Sequence, residues 1–390
     1  MVKTRRGLFI SIAFALSLSH APSCLAQGSP TEIKGASVGH TGGQEEVVRV
    51  KTRVVFIDAL VRDKRTGSPV RDLGRDDFQV LDDGHPRDIE YFSDNTERRR
   101  PLALVLVVDA WPSPEGWLVK GDAIMDRFAA ALKELPPGDE VGVAVTMFGE
   151  PDSPCEPTTL GKNQVVPLQV LQGLTRDREA VAAALRTAPQ LARQLYEARD
   201  EQTPKKKQMV YKPSGLLCLP GLVGRLAAER PTSQVAALVV TDDINIFYDR
   251  QRAEMTEEVA RAGVIVHSLS TRFHWLFSDV GVIGDLGRHI NPGPVEKDRQ
   301  AYVVQAVAED TGGEVVRVRA PDEYPAAFER IMRGLASRYS LGFVLGEGEA
   351  DDGRLHKLEV RINTRGERVK GKRLEVVARR GYYMPKPGKD

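Results

Sequence analysis

The sequence predicts an α/β protein: a doubly wound, mostly parallel sheet, with a β-sandwich-like region built from strands on both sides of it along the chain. In the middle of the chain, short continuous apolar runs alternate with amphipathic helical segments. Segments with period-two alternation precede and follow this block. With 390 residues, 41% of them hydrophobic and 28% charged, the chain has a globular composition and room for two domains.

The first 26 residues are predicted to be a signal peptide. Lys3, Arg5 and Arg6 precede the apolar run Leu8–Leu18, and small residues follow it. The run is too short to span a bilayer as a helix, and no later segment is long and apolar enough. We therefore expect a secreted or periplasmic protein without a transmembrane segment after cleavage. A twin-arginine signal, or a lipoprotein signal with Cys24 lipidated, ranks behind simple secretion.

Residues 27–45 are rich in Gly, Ser and Thr and have no hydrophobic period, which predicts a flexible tether. A β-rich segment is predicted over 46–100. Apolar residues alternate with polar ones between Val48 and Val61, and two further strands, Phe78–Leu81 and Ile89–Phe92, flank a turn.

The α/β domain is predicted over 101–336. Its first strand, Leu102–Val108, is continuously apolar, as expected for a strand buried on both faces of a parallel sheet. Later apolar strands are predicted at 141–148, 235–240 and 264–269. Residues at helical spacing follow these strands, around Ile124 to Leu135, Val181 to Leu185, Glu254 to Arg261, Tyr302 to Glu309 and Tyr324 to Leu335.

A second β-rich segment is predicted over 337–386, with strands near Leu341–Leu345, Lys357–Ile362, Leu374–Ala378 and Tyr382–Tyr383. We expect it to pair with 46–100 in one sandwich into which the α/β domain is inserted, because neither half alone would remove its sheet edges from solvent. Two separate small domains are the alternative.

Polar residues follow two of the predicted central strands, where ligands bind in open α/β sheets. Asp109 and Ser113 follow the first strand, and Thr241–Asp243 ends a later one. This pattern resembles the metal-ion-dependent adhesion site of a von Willebrand factor type A domain. Segments that resemble the acidobacterial type of this family extend over nearly all of the mature chain: Asp76–Gly84, Pro136–Val143, Thr311–Val315, Tyr339–Gly342, Asp352–Val360 and Arg380–Tyr383. The resemblance implies protein–protein or adhesive binding.

The candidate metal site departs from the family pattern. Trp111 replaces the middle serine, and Leu216 lies near the position where the family has a threonine ligand. Magnesium prefers about six oxygen ligands. We therefore expect a degenerate site and no cofactor; Mg²⁺ or another divalent cation is the alternative. The remaining candidate ligands are Asp109, Ser113, Asp242 and Asp243, the last standing where glycine is usual. Alternatively, Asp109 and Asp242 cap helices and loops at the strand ends.

Aromatic residues in two segments at this edge are candidates for partner contact: Trp111, Trp117, Phe273, Trp275 and Phe277. Aromatics on loops above a rigid scaffold are typical contact anchors. A metal-independent contact surface is one interpretation, and an insertion that folds its aromatics inward as a lid is the other. The sequence identifies neither the protein partner nor the oligomeric state.

Signal cleavage would leave two cysteines, Cys155 and Cys218. In an oxidising compartment they can form a disulfide, and two separately buried thiols are the alternative.

Several functional classes find no support in the sequence. A net charge of +1 offers no broad field for nucleic acid. Nucleophile-elbow, zinc-protease and phosphate-loop motifs are absent. His267, on an apolar strand, is interpreted as a core residue, and the paired acids Asp82–Asp83 and Asp351–Asp352 as turn residues. We therefore expect an exported, non-enzymatic binding protein. A structural or assembly component of the cell envelope is the alternative, followed by an unrecognised enzyme.

Overall fold

A computed structural model of the chain describes residues 53–94, 100–109, 121–146, 155, 168–202, 215–241, 249–271, 303–346, 349, 352–363, 369 and 371–384. The predicted signal peptide and tether lie outside these residues.

The strands, in chain order, are β1 (Arg53–Asp63), β2 (Phe78–Asp82), β3 (His85–Arg87), β4 (Tyr91–Ser93), β5 (Leu102–Asp109), β6 (Glu140–Thr146), β7 (Leu168–Thr175), β8 (Gln234–Thr241), β9 (Ile265–Thr271), β10 (Val315–Val318), β11 (Tyr339–Leu345), β12 (Leu355–Ile362), β13 (Leu374–Val377) and β14 (Gly381–Tyr383). The helices are α1 (Gly121–Leu132), α2 (Arg178–Gln202), α3 (Leu219–Glu229), α4 (Asp249–Arg261), α5 (Val303–Thr311) and α6 (Tyr324–Leu335).

The α/β domain is built on a six-stranded sheet with the order β10-β9-β8-β5-β6-β7. All neighbouring strands are parallel except β6 and β7, so the antiparallel strand lies at one edge. Alternate residues of β5 belong to two different cores. Leu104 and Leu106 pack in the core that includes α1, α2 and α6, whereas Val105 and Val107 pack in the core that includes α3, α4 and α5. Helices thus cover both faces, which confirms the predicted doubly wound fold.

The strands outside this domain form two four-stranded antiparallel sheets, β13-β1-β11-β4 and β14-β12-β2-β3. β1 lies before the α/β domain in the chain and pairs with β11 after it, with Ile57 opposite Leu341. The inner faces of both sheets share one apolar core, in which the rings of Phe78 and Tyr339 lie 5.0 Å apart. The predicted sandwich of N- and C-terminal strands is therefore confirmed.

The buried hydroxyl of Tyr339 makes two hydrogen bonds in this core. Its hydroxyl donates to the Val70 carbonyl at 2.8 Å and accepts from the Leu73 amide at 3.1 Å. Desolvation of the ring raises the pKa of Tyr339 to about 12. The uncharged hydroxyl thus fixes the connection between β1 and β2 against β11.

Three elements of the α/β domain were not predicted from the sequence: β7, α3 and β10. β7 is an edge strand whose apolar residues are interrupted by glutamine and glycine, so it lacks the continuous apolar character of a central strand. α3 begins directly after a 3-10 turn and contains Pro220 and two glycines, which weaken its helical pattern.

Candidate functional site

The carboxyl end of the parallel sheet brings three polar side chains together. Asp109 ends β5, Thr146 ends the neighbouring β6, and Thr241 ends β8 on the other side. The Thr146 hydroxyl donates to Oδ1 of Asp109 at 3.0 Å, and the Thr241 hydroxyl donates to Oδ2 at 2.7 Å. Asp109 is 3% exposed, and both threonines are fully buried. The carboxylate therefore joins three adjacent strands at the edge where the sequence predicted a ligand site.

Two described residues at this end of the sheet, Asp109 and Leu216, can be compared with the ligand positions of a magnesium site. Both carboxylate oxygens of Asp109 already accept hydrogen bonds from protein hydroxyls. Leu216, near the position of the family's threonine ligand, is fully buried and packs with Leu219 in an apolar cluster. A hard cation requires oxygen ligands that Leu216 does not supply. Of these two described positions, Asp109 offers carboxylate oxygens that hold two hydroxyl groups, and Leu216 offers no oxygen ligand.

The other residues predicted at this edge lie outside the described part of the chain. They are the candidate ligands Ser113, Asp242 and Asp243 and the candidate contact residues Trp111, Trp117, Phe273, Trp275 and Phe277. The structure therefore places Asp109 and neither supports nor contradicts the roles predicted for the rest. Thr146 and Thr241 were not predicted as partners of Asp109. Their positions as the last polar residues of two apolar strands were the available signal.

A disulfide joins Cys155 to Cys218, whose Cα atoms are 5.2 Å apart. Of the two arrangements that the sequence left open, the structure has the paired one. Cys218 is 4% exposed and ends the 3-10 turn Gly215–Cys218, immediately before α3. The bond thus ties the chain between β6 and β7 to the turn that contains Leu216.

Comparison with known proteins concerns the fold. A scan against protein-family models and a search of curated proteins give no match. The solved structures that are similar include the conserved hypothetical protein BatB from Bacteroides thetaiotaomicron, at 15% identity and a TM-score of 0.36, covering 60% of this chain and 98% of that one. An aerotolerance-related membrane protein from Bacteroides fragilis has 13% identity, the same coverage and a TM-score of 0.35. A von Willebrand factor type A protein from Catenulispora acidiphila has 11% identity and a TM-score of 0.36, covering 80% of this chain and 74% of that one.

The six-stranded, mostly parallel sheet with helices on both faces is the architecture that the motif resemblance implied. The α/β domain has a von Willebrand factor type A-like fold. At these identities and TM-scores the structural likeness carries no statement about activity or partners. In the described part of the chain, no helix combines the length and apolar character needed to cross a membrane.

A buried polar cluster lies where this type A domain meets the sandwich, and the sequence did not predict it. Glu314 forms an ion pair with Arg62 of β1, and its backbone amide donates to Nδ1 of His267 at 3.1 Å. Arg338 is fully buried and donates to the carbonyls of Gly312 and Asp58 at 2.7 and 3.1 Å. The cluster thus connects β1, β9 and the chain on both sides of β10 and α6.

Burial dominates the electrostatics of this cluster. Desolvation, reinforced by Arg338 and Arg62, lowers the pKa of His267 well below its ordinary value, so the imidazole is neutral. Desolvation raises the pKa of Glu314, and Arg62 and Arg338 oppose that shift. His267 is a core residue, as predicted, but its Nε2 has no hydrogen-bond partner among the described residues.

Two glycines allow close backbone contacts here, Gly312 with the chain before β14 and Gly313 with β9 of its own domain. Gly312 has φ of +79°, and a β-carbon there would lie 2.3 Å from the Arg379 amide nitrogen. A β-carbon on Gly313 would lie 1.7 Å from the Val266 carbonyl oxygen. The sequence Thr311–Glu314 was noted for its family resemblance, and the structure gives it a physical reason: the backbone after α5 packs directly against β9 and the chain leading to β14.

Proposed function

We propose that the protein is an exported, non-enzymatic binding protein whose type A domain contacts a protein partner through the carboxyl edge of its sheet without a metal ion. The observation that carries this proposal is the arrangement of Asp109, whose two carboxylate oxygens accept hydrogen bonds from Thr146 and Thr241. In a metal-dependent site this carboxylate would serve the ion. Here it holds the strand ends together.

A metal-free edge needs other groups to contact the partner. The segments that follow β5 and β9 in the chain contain five large aromatic residues: Trp111, Trp117, Phe273, Trp275 and Phe277. Tryptophan and other aromatics supply large contact areas at low cost in conformational entropy. We propose that these segments form a contact surface and not a lid. The proposal is supported by the fixed ends of β5, β6 and β8, which the Asp109 hydrogen bonds join at this end of the sheet.

Export is supported by the first 26 residues and is consistent with the disulfide. Disulfides persist in oxidising compartments and are rare in the cytosol. The bond between Cys155 and Cys218 therefore agrees with a secreted or periplasmic location. We also propose that the protein has no catalytic activity. It is supported by the location of the groups whose pKa values shift: desolvation lowers the pKa of His267 and raises that of Glu314 in a buried cluster between the domains.

A comparative binding experiment tests the proposal. The chain from Gln27 onward is immobilised, and proteins of the source cell's envelope are captured and identified by mass spectrometry. A variant with Phe273, Trp275 and Phe277 changed to serine should lose a protein that the parent captures, and EDTA should leave capture unchanged. Phe56→Ser is the matched control, because Phe56 is an aromatic residue with 47% exposure on the sandwich, away from this edge. Capture that requires a divalent cation, or that survives the triple substitution, would refute the proposal.

One observation favours the second candidate, a structural component of the cell envelope. Phe56 and Tyr91 form an exposed aromatic pair on the sandwich, with ring centroids 5.7 Å apart and exposures of 47% and 36%. If the sandwich assembles with other copies, the parent should sediment as an oligomer and Phe56→Ser should sediment as a monomer. A parent that remains monomeric at high concentration would remove this candidate.

A further inference from the structure

Two carboxylates and an imidazole meet at one end of the sandwich, in strands that precede and follow the type A domain in the chain. Asp82 ends β2, Asp83 begins the turn to β3, and His356 lies in β12. One potential metal-ligand atom from each residue lies within 4.8 Å of the other two. The sequence interpretation of Asp82 and Asp83 as ordinary turn residues does not account for this convergence.

The geometry of the pair Asp83 and His356 is fixed by neighbouring groups. Asp83 has φ of +48°, and its Oδ1 accepts from the Lys357 amide at 2.8 Å. Its Oδ2 lies 2.9 Å from Nδ1 of His356. The imidazole stacks on the ring of Tyr382, with centroids 5.2 Å apart and an interplanar angle of 26°. Both donor groups are therefore held in place before any ligand arrives.

A second and independent observation, the environment of the Asp82 carboxylate, points to a cation as ligand. Asp82 is 4% exposed, and its Oδ2 accepts from Arg87 at 2.8 Å and from the Tyr382 hydroxyl at 3.2 Å. Its Oδ1 is buried and has no hydrogen-bond partner among the residues that the structure describes. A buried carboxylate oxygen without a partner is costly, and a bound cation would satisfy it.

The surrounding charge also favours a cation, because carboxylates outnumber the guanidinium groups that contact them. The four carboxylates are those of Asp82, Asp83, Glu349 and Asp352, and the three guanidinium groups beside them are those of Arg53, Arg87 and Arg354. A cleft of about 290 Å³ lies beside the cluster and is lined in part by Glu349, Asp352, His356 and Tyr382. It gives a hydrated ion a route to the imidazole.

We propose that Asp82, Asp83 and His356 bind one divalent cation of the first transition series, with Zn²⁺ and Co²⁺ as suitable probes. Imidazole together with carboxylate oxygens suits these ions better than Mg²⁺ or Ca²⁺, which prefer oxygen alone. Ligand atoms at adjacent positions of an octahedral ion lie about 3 Å apart. The Nδ1–Oδ2 separation of 2.9 Å in Asp83 and His356 fits that spacing.

Asp352 completes the arrangement as an orienting group. Its Oδ1 lies 3.4 Å from Nε2 of His356, on the side of the ring opposite Asp83. When Nδ1 binds the ion, Nε2–H donates to this carboxylate, and such partners fix the tautomer of metal-binding histidines. The ion would join a turn that precedes the type A domain to a strand that follows it, and so fasten the two halves of the sandwich.

Isothermal titration calorimetry with the metal alone tests the site. The chain from Gln27 onward is freed of metal with a chelator and titrated with Zn²⁺, Co²⁺, Mg²⁺ and Ca²⁺. One equivalent of Zn²⁺ or Co²⁺ should bind, and His356→Gln should weaken binding at least tenfold. Asp82→Asn should weaken it as well, with a changed visible spectrum of the Co²⁺ form. His85→Gln is the matched control, because His85 lies in the same hairpin and its ring contacts the Asp83 carbonyl, not a carboxylate; this variant should bind like the parent.

Two results would overturn the proposal: no binding of either transition-metal ion at millimolar concentration, or binding that His356→Gln and Asp82→Asn leave unchanged. Asp109→Asn separates this test from that of the proposed function. Metal binding lost in Asp109→Asn but retained in His356→Gln would place the ion at the sheet edge, which contradicts both proposals. Metal binding that His356→Gln weakens and Asp109→Asn leaves unchanged would support the site in the sandwich, and it would agree with a type A domain that binds no metal.

Discussion

Replacement of Asp109 by alanine should destabilise the protein even when no divalent cation is present. The substitution removes the acceptor of two hydroxyl groups, those of Thr146 and Thr241, both fully buried. A hydrogen bond to a charged group contributes roughly 1.5–3 kcal/mol. For two such bonds, the free energy of unfolding should therefore fall by about 3–6 kcal/mol. Asp109→Asn, which retains one acceptor oxygen, should cost about 1–2 kcal/mol.

Urea denaturation of the parent and both variants in EDTA, followed by circular dichroism, measures these differences. Thr146→Val and Thr241→Val are the controls, since each removes one of the two hydroxyls and should cost less than Asp109→Ala. A carboxylate whose main role is to bind a metal gives the opposite result, because its removal relieves an uncompensated negative charge in the metal-free protein. Unchanged or increased stability of Asp109→Asn in EDTA would thus refute the structural role.

Three further predictions concern stability. Gly334→Ala should destabilise the protein by about 1–3 kcal/mol, because its β-carbon would lie 1.9 Å from a carboxylate oxygen of Glu314. Gly224→Ala has open space around it in α3 and should stabilise the protein by about 0.5–1 kcal/mol. Urea denaturation measures both changes. The native protein keeps His267 neutral, whereas the unfolded chain binds a proton there below about pH 6.5. As the pH is lowered below that value, the free energy of unfolding should decrease by at most about 1.4 kcal/mol per pH unit, and less steeply in His267→Asn. A difference between the two proteins that does not change with pH would contradict this. Reduction of the bond between Cys155 and Cys218, 63 positions apart, should lower the unfolding free energy by up to about 4 kcal/mol, whereas a Cys155→Ser/Cys218→Ser variant should not respond to reductant.

The sequence was most informative where burial imposes a simple pattern. β5 is apolar from Leu102 to Val108, and β8 is apolar from Val235 to Val240, because both faces of the sheet are covered. Continuous apolar runs of that length are recognisable. The sandwich was predictable for a different reason: each β-rich segment was too small to close its own sheet edges. β7 escaped prediction because an edge strand needs no continuous apolar run.

The interactions at the sites were less predictable because they join residues that are distant in the chain. The Thr241 hydroxyl lies 132 positions from Asp109, and its place at the end of an apolar strand does not identify which residue it contacts. Arg62 and Glu314 look like surface charges in the sequence, yet both are about 3% exposed. They become buried because the backbone at Gly312 approaches the chain before β14, which depends on tertiary structure and not on periodicity.

The insertion of the type A domain between the two halves of the sandwich determines the order in which the chain can fold. The Ser340 hydroxyl contacts the Asp58 carboxylate across 282 positions, so β1 gains its partner β11 late in synthesis. The inserted domain holds all six strands of its own sheet and can fold first, which brings the ends of the sandwich halves together and shortens the loop that must close. Until then β1 has an unpaired edge, and such edges promote aggregation. An insert that folds first would thus shorten the time for which these strand edges stay unpaired.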